Sequence, residues 1–291
     1  MTAIVNPQAE GRAAAEGFRA KHRLGLQPLG DLVALIEQSA GVDVAILDVG
    51  ADEHGLTMRD PQRSAVFIGV ARTRHPMRQR STLAHELGHV TFGDWADNSD
   101  CDWSAPSQAE SRANAFARHL LLPMDGLRIF LDGADGIGLA ALSAVVQRFL
   151  VSPQIAAIAL ELAGLIDGDT KREWMTVTAP QLAVRFGWSD HYRSLQDDAD
   201  QRRAPQRLLA RAIHGYIEGV VSTQTIATLR GITSEEAAAE LREAGIFPAQ
   251  HSVTWTDPDE LPDVEIDLEA LNDALDSAAD SPNKASEPDA R

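Results

Sequence analysis

The stretch Thr82-Leu-Ala-His-Glu-Leu-Gly-His-Val-Thr-Phe92 puts two of the chain's nine histidines and a glutamate within five positions. Read as a helix, which turns about 100° per residue, it sets His85 and His89 about 40° apart and one turn above the other. Both imidazoles can then reach one ion. Glu86 falls about 100° round from His85, beside the ion and offset from both ligands, where a base acting on activated water has to be. The spacing supplies two metal ligands, His85 and His89, and a catalytic carboxylate, Glu86.

The surroundings of this helix predict the fold. Residues 8 to 24 read as a helix, and Asp31-Leu-Val-Ala-Leu-Ile-Glu-Gln-Ser-Ala-Gly41 as a second, with Asp31 at its N-cap and Gly41 closing it. Two strand patterns, 42–49 and 64–70, are separated by the stretch 50–63, which reads as turns. After the HELGH helix a loop breaks the periodicity, and a helix resumes at Gln108 until Pro123 stops it. Strands, helix, loop, helix is the layout of a minimal zincin-like domain. The class expected is α+β: a small sheet with the HExxH helix and a ligand helix over 8–125, then helical segments with helix-turn-helix-like elements. The first of these covers 126–170, with two apolar helices joined at Leu150-Val-Ser-Pro-Gln154. The second covers 171–250, with a further pair around Gly231-Ile-Thr-Ser-Glu-Glu236. Residues 251–291 read as an acidic, disordered tail.

Charge and composition narrow the function. Of the net charge of −17, more than half sits in the last forty residues, where twelve Asp or Glu stand against Lys284 and Arg291. Such a field opposes a phosphate backbone, so a direct nucleic-acid partner is not expected. The helix beginning at Pro153 also offers only Gln154 and Glu161 as polar residues, too few to read base edges. There is no apolar run near 18 residues and no leader-like segment, so a membrane role is not expected and the cytoplasm is. The single Cys101 agrees with that compartment.

A catalytic zinc takes three protein ligands and keeps one open position. The metzincin pattern would need Gly and His three and six residues after His89; Phe92 and Trp95 stand there. Glu110, 21 residues downstream at a helix start, has gluzincin-like spacing and is the preferred third ligand. Asn114, one turn on, is placed to hydrogen-bond a ligand. Ala113, Ala117 and Leu121 share that face and allow close approach to the HELGH helix. His119 lies about 900° from Glu110 and faces the other way, as a packing or surface histidine. Cys101 is a rival for the open position, as a latency thiolate. Arg72, Arg74, Arg78 and Arg80 form a basic run, either paired with acidic residues or a docking patch. For the oxyanion, His75, His191 and Tyr192 are candidates that sequence cannot place.

Arg78-Gln-Arg-Ser-Thr-Leu-Ala-His-Glu-Leu-Gly-His89 followed by Glu110-Ser-Arg-Ala-Asn-Ala-Phe-Ala-Arg-His-Leu-Leu-Leu-Pro123 resembles the ImmA/IrrE family of bacterial metallopeptidases. Its hallmark is R-x-R-F-T-L-A-H-E-L-G-H and then E-x-E-A-N-x-F-A-x-x-L-L-M-P. The likeness covers roughly residues 10 to 125. It implies His85, His89 and Glu110 as zinc ligands, with manganese as a possible substitute, and Glu86 as the catalytic glutamate. Departures are Ser81 for the usual Phe and Arg112 for the usual second Glu. The resemblance further implies cleavage of a helix-turn-helix (XRE-type) repressor that controls stress-response or mobile-element genes. The alternative is a non-proteolytic, metal-containing partner of a repressor, as in a toxin–antitoxin pair.

Overall fold

The N-terminal helix α1 (Pro7–Lys21) starts where Asn6 accepts a hydrogen bond from the backbone of Gln8 and Pro7 occupies the first turn. Asp31 caps α2 (Leu32–Ala40) through Ala34 N–H, and Gly41, at φ 66°, closes it. Both ends of α2 are thus where the sequence places them. In the computed structural model the described residues are 6–50, 55–63, 65–95, 108–134, 136–249 and 268–269. Cys101 and nearly all of the acidic tail lie outside them.

Three strands follow: β1 (Asp43–Leu47), β2 (Leu56–Asp60) and β3 (Ala65–Ala71), in the order β1-β3-β2. β1 runs parallel to β3, and β2 antiparallel, with Thr57 opposite Ile68. β2 lies within the stretch read from sequence as turns. Its pattern misleads because Leu56 and Met58 are each half exposed, while the polar Thr57 turns toward the helices. An edge strand with inverted polarity gives no clean alternation to read.

Under the sheet lies α3 (Pro76–Phe92), which buries Met77, Leu83, Ala84 and Leu87 against Ile68 and Val70. The next helix, α4 (Gln108–Leu121), is clamped between α1 and α3 by small residues. A Cβ on Gly88 would stand 3.1 Å from Ala113 Cα, and one on Gly11 would stand 2.3 Å from Arg112 O. Those glycines set how closely the three helices approach. Then come α5 (Met124–Phe130), α6 (Leu139–Phe149) and α7 (Pro153–Leu162), the last two meeting at a bend of 112°. They are followed by α8 (Gly168–Trp174), α9 (Ala179–Arg185) and α10 (Ser189–Ala199). The overall class is α+β, a small zincin-like sheet-and-helix domain with helical segments after it.

One apolar cluster runs without interruption from Ala15 to Tyr192, so α6 to α10 share the core of the sheet domain. The polar residues of α7 are spent inside the chain: Gln154 donates to Met175 O and Val177 O, and Glu161 pairs with Lys171. A second, smaller cluster around Ala212, Ile226, Ala227, Ala237 and Leu241 joins α11 (Gln206–Ile217), α12 (Thr223–Arg230) and α13 (Ser234–Glu243). Its link to the sheet is polar. Arg203 bridges the free edge of β1 at Ile46, Glu37 accepts from both Val44 N–H and Gln206 N–H, and Arg207 pairs with Asp43. Residues 250–291 separate as a second unit, of which Leu268 and Glu269 are described.

Candidate metal centre

Helix α3 ends at Gly93, whose φ of 70° takes the left-handed turn that other residues resist, and Asp94 N–H then folds back onto His89 O at 2.9 Å. This turn delivers the Asp94 carboxylate to His89: Asp94 Oδ2 lies 3.4 Å from His89 Nδ1. Across the cleft, the first turn of α4 presents Glu110, and one turn on Asn114 Oδ1 lies 3.1 Å from His85 Nδ1. The two imidazoles are therefore held at their Nδ1 edges by an amide oxygen and a carboxylate, which leaves both Nε2 atoms facing inward.

Those inward atoms converge. His85 Nε2 and His89 Nε2 are 3.0 Å apart, and Glu110 reaches them with Oε2 and Oε1 at 3.2 Å each. An amide oxygen and a carboxylate at the Nδ1 edges suit Nδ1–H donation, the tautomer that offers both Nε2 lone pairs, with Glu110, to one cation. Metal–ligand bonds of roughly 2.0–2.1 Å in a tetrahedron place donor atoms about 3.3 Å apart, close to the separations found. The donor set fits a divalent metal on chemistry and on scale. His85, His89 and Glu110 are also the one His/Cys/Asp/Glu group of metal-binding geometry among the described residues.

Glu86 is buried to 7 % exposure on the neighbouring face of α3. Two residues that sequence reading passed over hold it. Thr57 of β2 donates its hydroxyl to Glu86 Oε2 at 2.6 Å, and Gly55 lies so close that a Cβ there would stand 2.5 Å from Glu86 Oε1. Two positions along β2 from Thr57, on the same face, Arg59 stacks over Trp95 at 5.5 Å. β2 therefore roofs the half of α3 that carries the site. Neither Gly55 nor Thr57 belongs to a motif; the only signal was a Gly before a short Leu-Thr-Met-Arg-Asp run, 29 residues from Glu86 in the case of Thr57.

Arg112, the departure from the family pattern, also acquires a place. Its guanidinium pairs with Asp94 and with Glu10 at 3.3 Å, and lies over the Phe92 ring at 4.6 Å. A chain of contacts runs from Glu10 through Arg112 and Asp94 to His89.

The remaining candidates go elsewhere. His119 is buried on the far side of α4, and burial first, then Arg118 and Arg12, push its pKa down to about 4. His75 is the N-cap of α3 and Tyr192 is buried in α10. Ten residues at about 1.5 Å each separate His75 from His85, so it cannot serve an oxyanion at the metal centre. Tyr192 lines the same cavity as His75, and His191 is beside it on α10. The basic run disperses: Arg72 pairs with Asp48 and Asp200, Arg74 with Asp197 and Asp200. Arg80 donates to the carbonyls of Leu29, Gly30 and Leu150, with burial lowering its pKa to about 10. Only Arg78 of the four has neither an ion pair nor a side-chain hydrogen bond among the described residues.

A His-His-Glu cluster flanked by a buried carboxylate, on a small sheet and two helices, defines the metallopeptidase class. Residues 37–161 match the IrrE N-terminal-like domain of the peptidase M78 family. Residues 37–161 thus carry a domain of the ImmA/IrrE metallopeptidase kind. No curated protein matches the chain. Among the described residues no single helix is long and apolar enough to cross a membrane.

Proposed function

We propose that the protein is a zinc-dependent endopeptidase that cleaves a helix-turn-helix (XRE-type) transcriptional repressor and so releases stress-response or mobile-element genes. The observation that carries the enzymatic part is the pairing of an inward-facing His85–His89–Glu110 cluster with a buried Glu86 that is not one of its ligands. A purely structural site has no use for that fourth group and is usually closed by four ligands. Manganese is expected to substitute for zinc.

Zinc held by His85, His89 and Glu110 supplies Lewis acidity to water and to the scissile carbonyl. Glu86 takes the proton of the attacking water and returns it to the leaving amine, one carboxylate serving as base and then acid. Thr57 occupies Oε2 as a hydrogen-bond donor, so the proton is carried on Oε1. Asn114 and Asp94 keep the imidazoles turned inward. β2 contributes in a second way. No strand pairs with its outer edge among the described residues, and its Thr57 side chain meets Glu86 on the face turned to α3. An extended substrate segment added to β2 would run past the catalytic carboxylate, with backbone hydrogen bonds fixing its direction.

Incubating the zinc-loaded protein with the helix-turn-helix repressor encoded nearest its gene tests the reading. Cleavage at one bond, lost in Glu86→Gln and on chelation, is the result expected. Tight binding of the intact repressor, unchanged in Glu86→Gln, would instead establish the non-proteolytic partner.

A further inference from the structure

At the other end of α3 lies a cavity of about 250 Å³ lined by His75, Met77 and Arg78 of α3, Ser152 to Gln154 of α7, Thr178 to Pro180, and Tyr192 of α10. Arg78 and Tyr192 are the donors of interest, beside the hydroxyls of Ser152 and Thr178, the amide of Gln154 and the imidazole of His75. Tyr192 is 6 % exposed, and its hydroxyl has no hydrogen-bond partner among the described residues, although it is not sealed from the cavity. Burial raises the phenol's pKa, so it stays a donor at neutral pH. Trp188 packs edge-on against the Tyr192 ring at 5.7 Å and fixes its direction. Arg78 is exposed at the rim, and of the arginine run it alone has no side-chain partner among the described residues. No carboxylate lines the cavity, in a protein whose net charge is −17.

Two helices of 17 and 10 residues also begin here. Each has proline in its first turn, and α3 has no side-chain cap. The N–H groups of Met77 and Arg78 therefore have no acceptor among the described residues. In α7, Ser152 caps Ile155 and leaves Gln154 N–H similarly open. Helix N-termini carry partial positive charge and outward-facing donors. Donors thus come from α3, α7, a guanidinium and a phenol, surrounding a space instead of edging a plane. That suits a tetrahedral dianion better than a planar carboxylate. At about 30 Å³ per water the cavity holds roughly eight waters, more room than a bare oxyanion needs. The rest of its wall, Met77, Pro153, Ala179 and Pro180, is apolar.

We propose that this cavity is a ligand site separate from the metal centre, binding the phosphate group of a small phosphate monoester whose organic part rests on the apolar wall. Calorimetric titration of the full-length protein with inorganic phosphate and with phenyl phosphate, in metal-loaded and chelator-treated forms, tests it. Both probes should bind one per chain, phenyl phosphate more tightly, whether or not metal is present. Arg78→Gln should weaken both at least about tenfold and Tyr192→Phe about three- to tenfold, in line with one charged and one neutral hydrogen bond lost. Arg78 is a surface residue whose replacement leaves the core intact, so its result stands even if Tyr192→Phe unfolds the chain. Unchanged affinity in Arg78→Gln overturns the proposal, as does acetate competing as well as phosphate. Binding that disappears on metal removal and ignores both substitutions would put the anion on the metal instead.

Discussion

The two ends of α3 carry two kinds of site. The C-terminal half holds His85, Glu86 and His89 within five consecutive residues, and helix geometry alone sets their mutual positions. The N-terminal end draws on His75 and Arg78, but the groups that complete its cavity come from α7 and α10, far along the chain. Three of the four groups at the metal centre share one helix turn and keep their mutual positions however that helix packs, with Glu110 alone arriving from α4. A site built where three helices meet depends on packing for its existence. Replacements at the first end should therefore change chemistry with the fold intact, and replacements of partners at the second should change binding through geometry.

The largest effect expected is in Glu86→Gln, which keeps the helix and the ligands but cannot accept a proton. Cleavage should fall by roughly 10²–10⁴-fold, with metal content by atomic absorption unchanged. Loss of metal in this variant would make Glu86 a ligand and break the separation of roles. Glu110→Ala and His89→Ala are expected to empty the site; a full equivalent of metal in Glu110→Ala would refute the ligand set.

Next come the residues that hold the ligands. Asp94→Asn and Arg112→Ala should lower metal affinity by about 10- to 100-fold, read by competition with a chromophoric chelator. Arg112→Glu, which restores the usual family residue, should be worse than Ala here, because it sets a third carboxylate against Asp94 and Glu10. Wild-type affinity in all three variants would reduce the contact chain to a surface ion pair. Gly55→Ala should slow cleavage about tenfold with metal retained, since a Cβ would displace the Glu86 carboxylate. Wild-type turnover in Gly55→Ala would show that β2 yields readily.

The smallest effect expected concerns stability. His119 is neutral in the fold, its pKa lowered from 6.5 to about 4 chiefly by burial, with Arg118 and Arg12 adding to the shift and Glu16 opposing it. Between those pH values the unfolded chain binds a proton that the folded chain refuses. Its contribution is complete above pH 6.5 and is lost as pH falls toward 4. Denaturant unfolding at a series of pH values should therefore show a steeper acid loss in the wild type than in His119→Gln. Parallel curves would mean that His119 protonates freely in the fold.

Much of this was legible from residues alone. His85, Glu86 and His89 follow from the period of a helix. Asp31 and Gly41 bound α2 because a capping carboxylate and a left-handed glycine act within a few residues of their partners. Glu110 and Asn114 were also readable, as two positions one turn apart on a helix with a small-residue face. In each case the determining interaction is local, or the distance is set by a regular backbone.

What escaped has the opposite character. β2 hides in a polar run because its inward residue is Thr57, whose value lies in a hydrogen bond to Glu86 across the sheet-to-helix gap. Gly55 matters only because a carboxylate packs against it. Arg112 is in the sequence only a departure from the family pattern; its place comes from Asp94 and Glu10, which pack around it. Arg72, Arg74, Arg78 and Arg80 form one patch on paper, yet three are engaged by Asp200, Asp197, Asp48 and buried carbonyls while Arg78 stands open beside Tyr192. Side-chain pattern fixes which face of a helix or strand a residue occupies. Which partner meets that face, and whether a charge is spent or available, is settled only when distant segments pack, because those contacts carry no periodic trace in the chain.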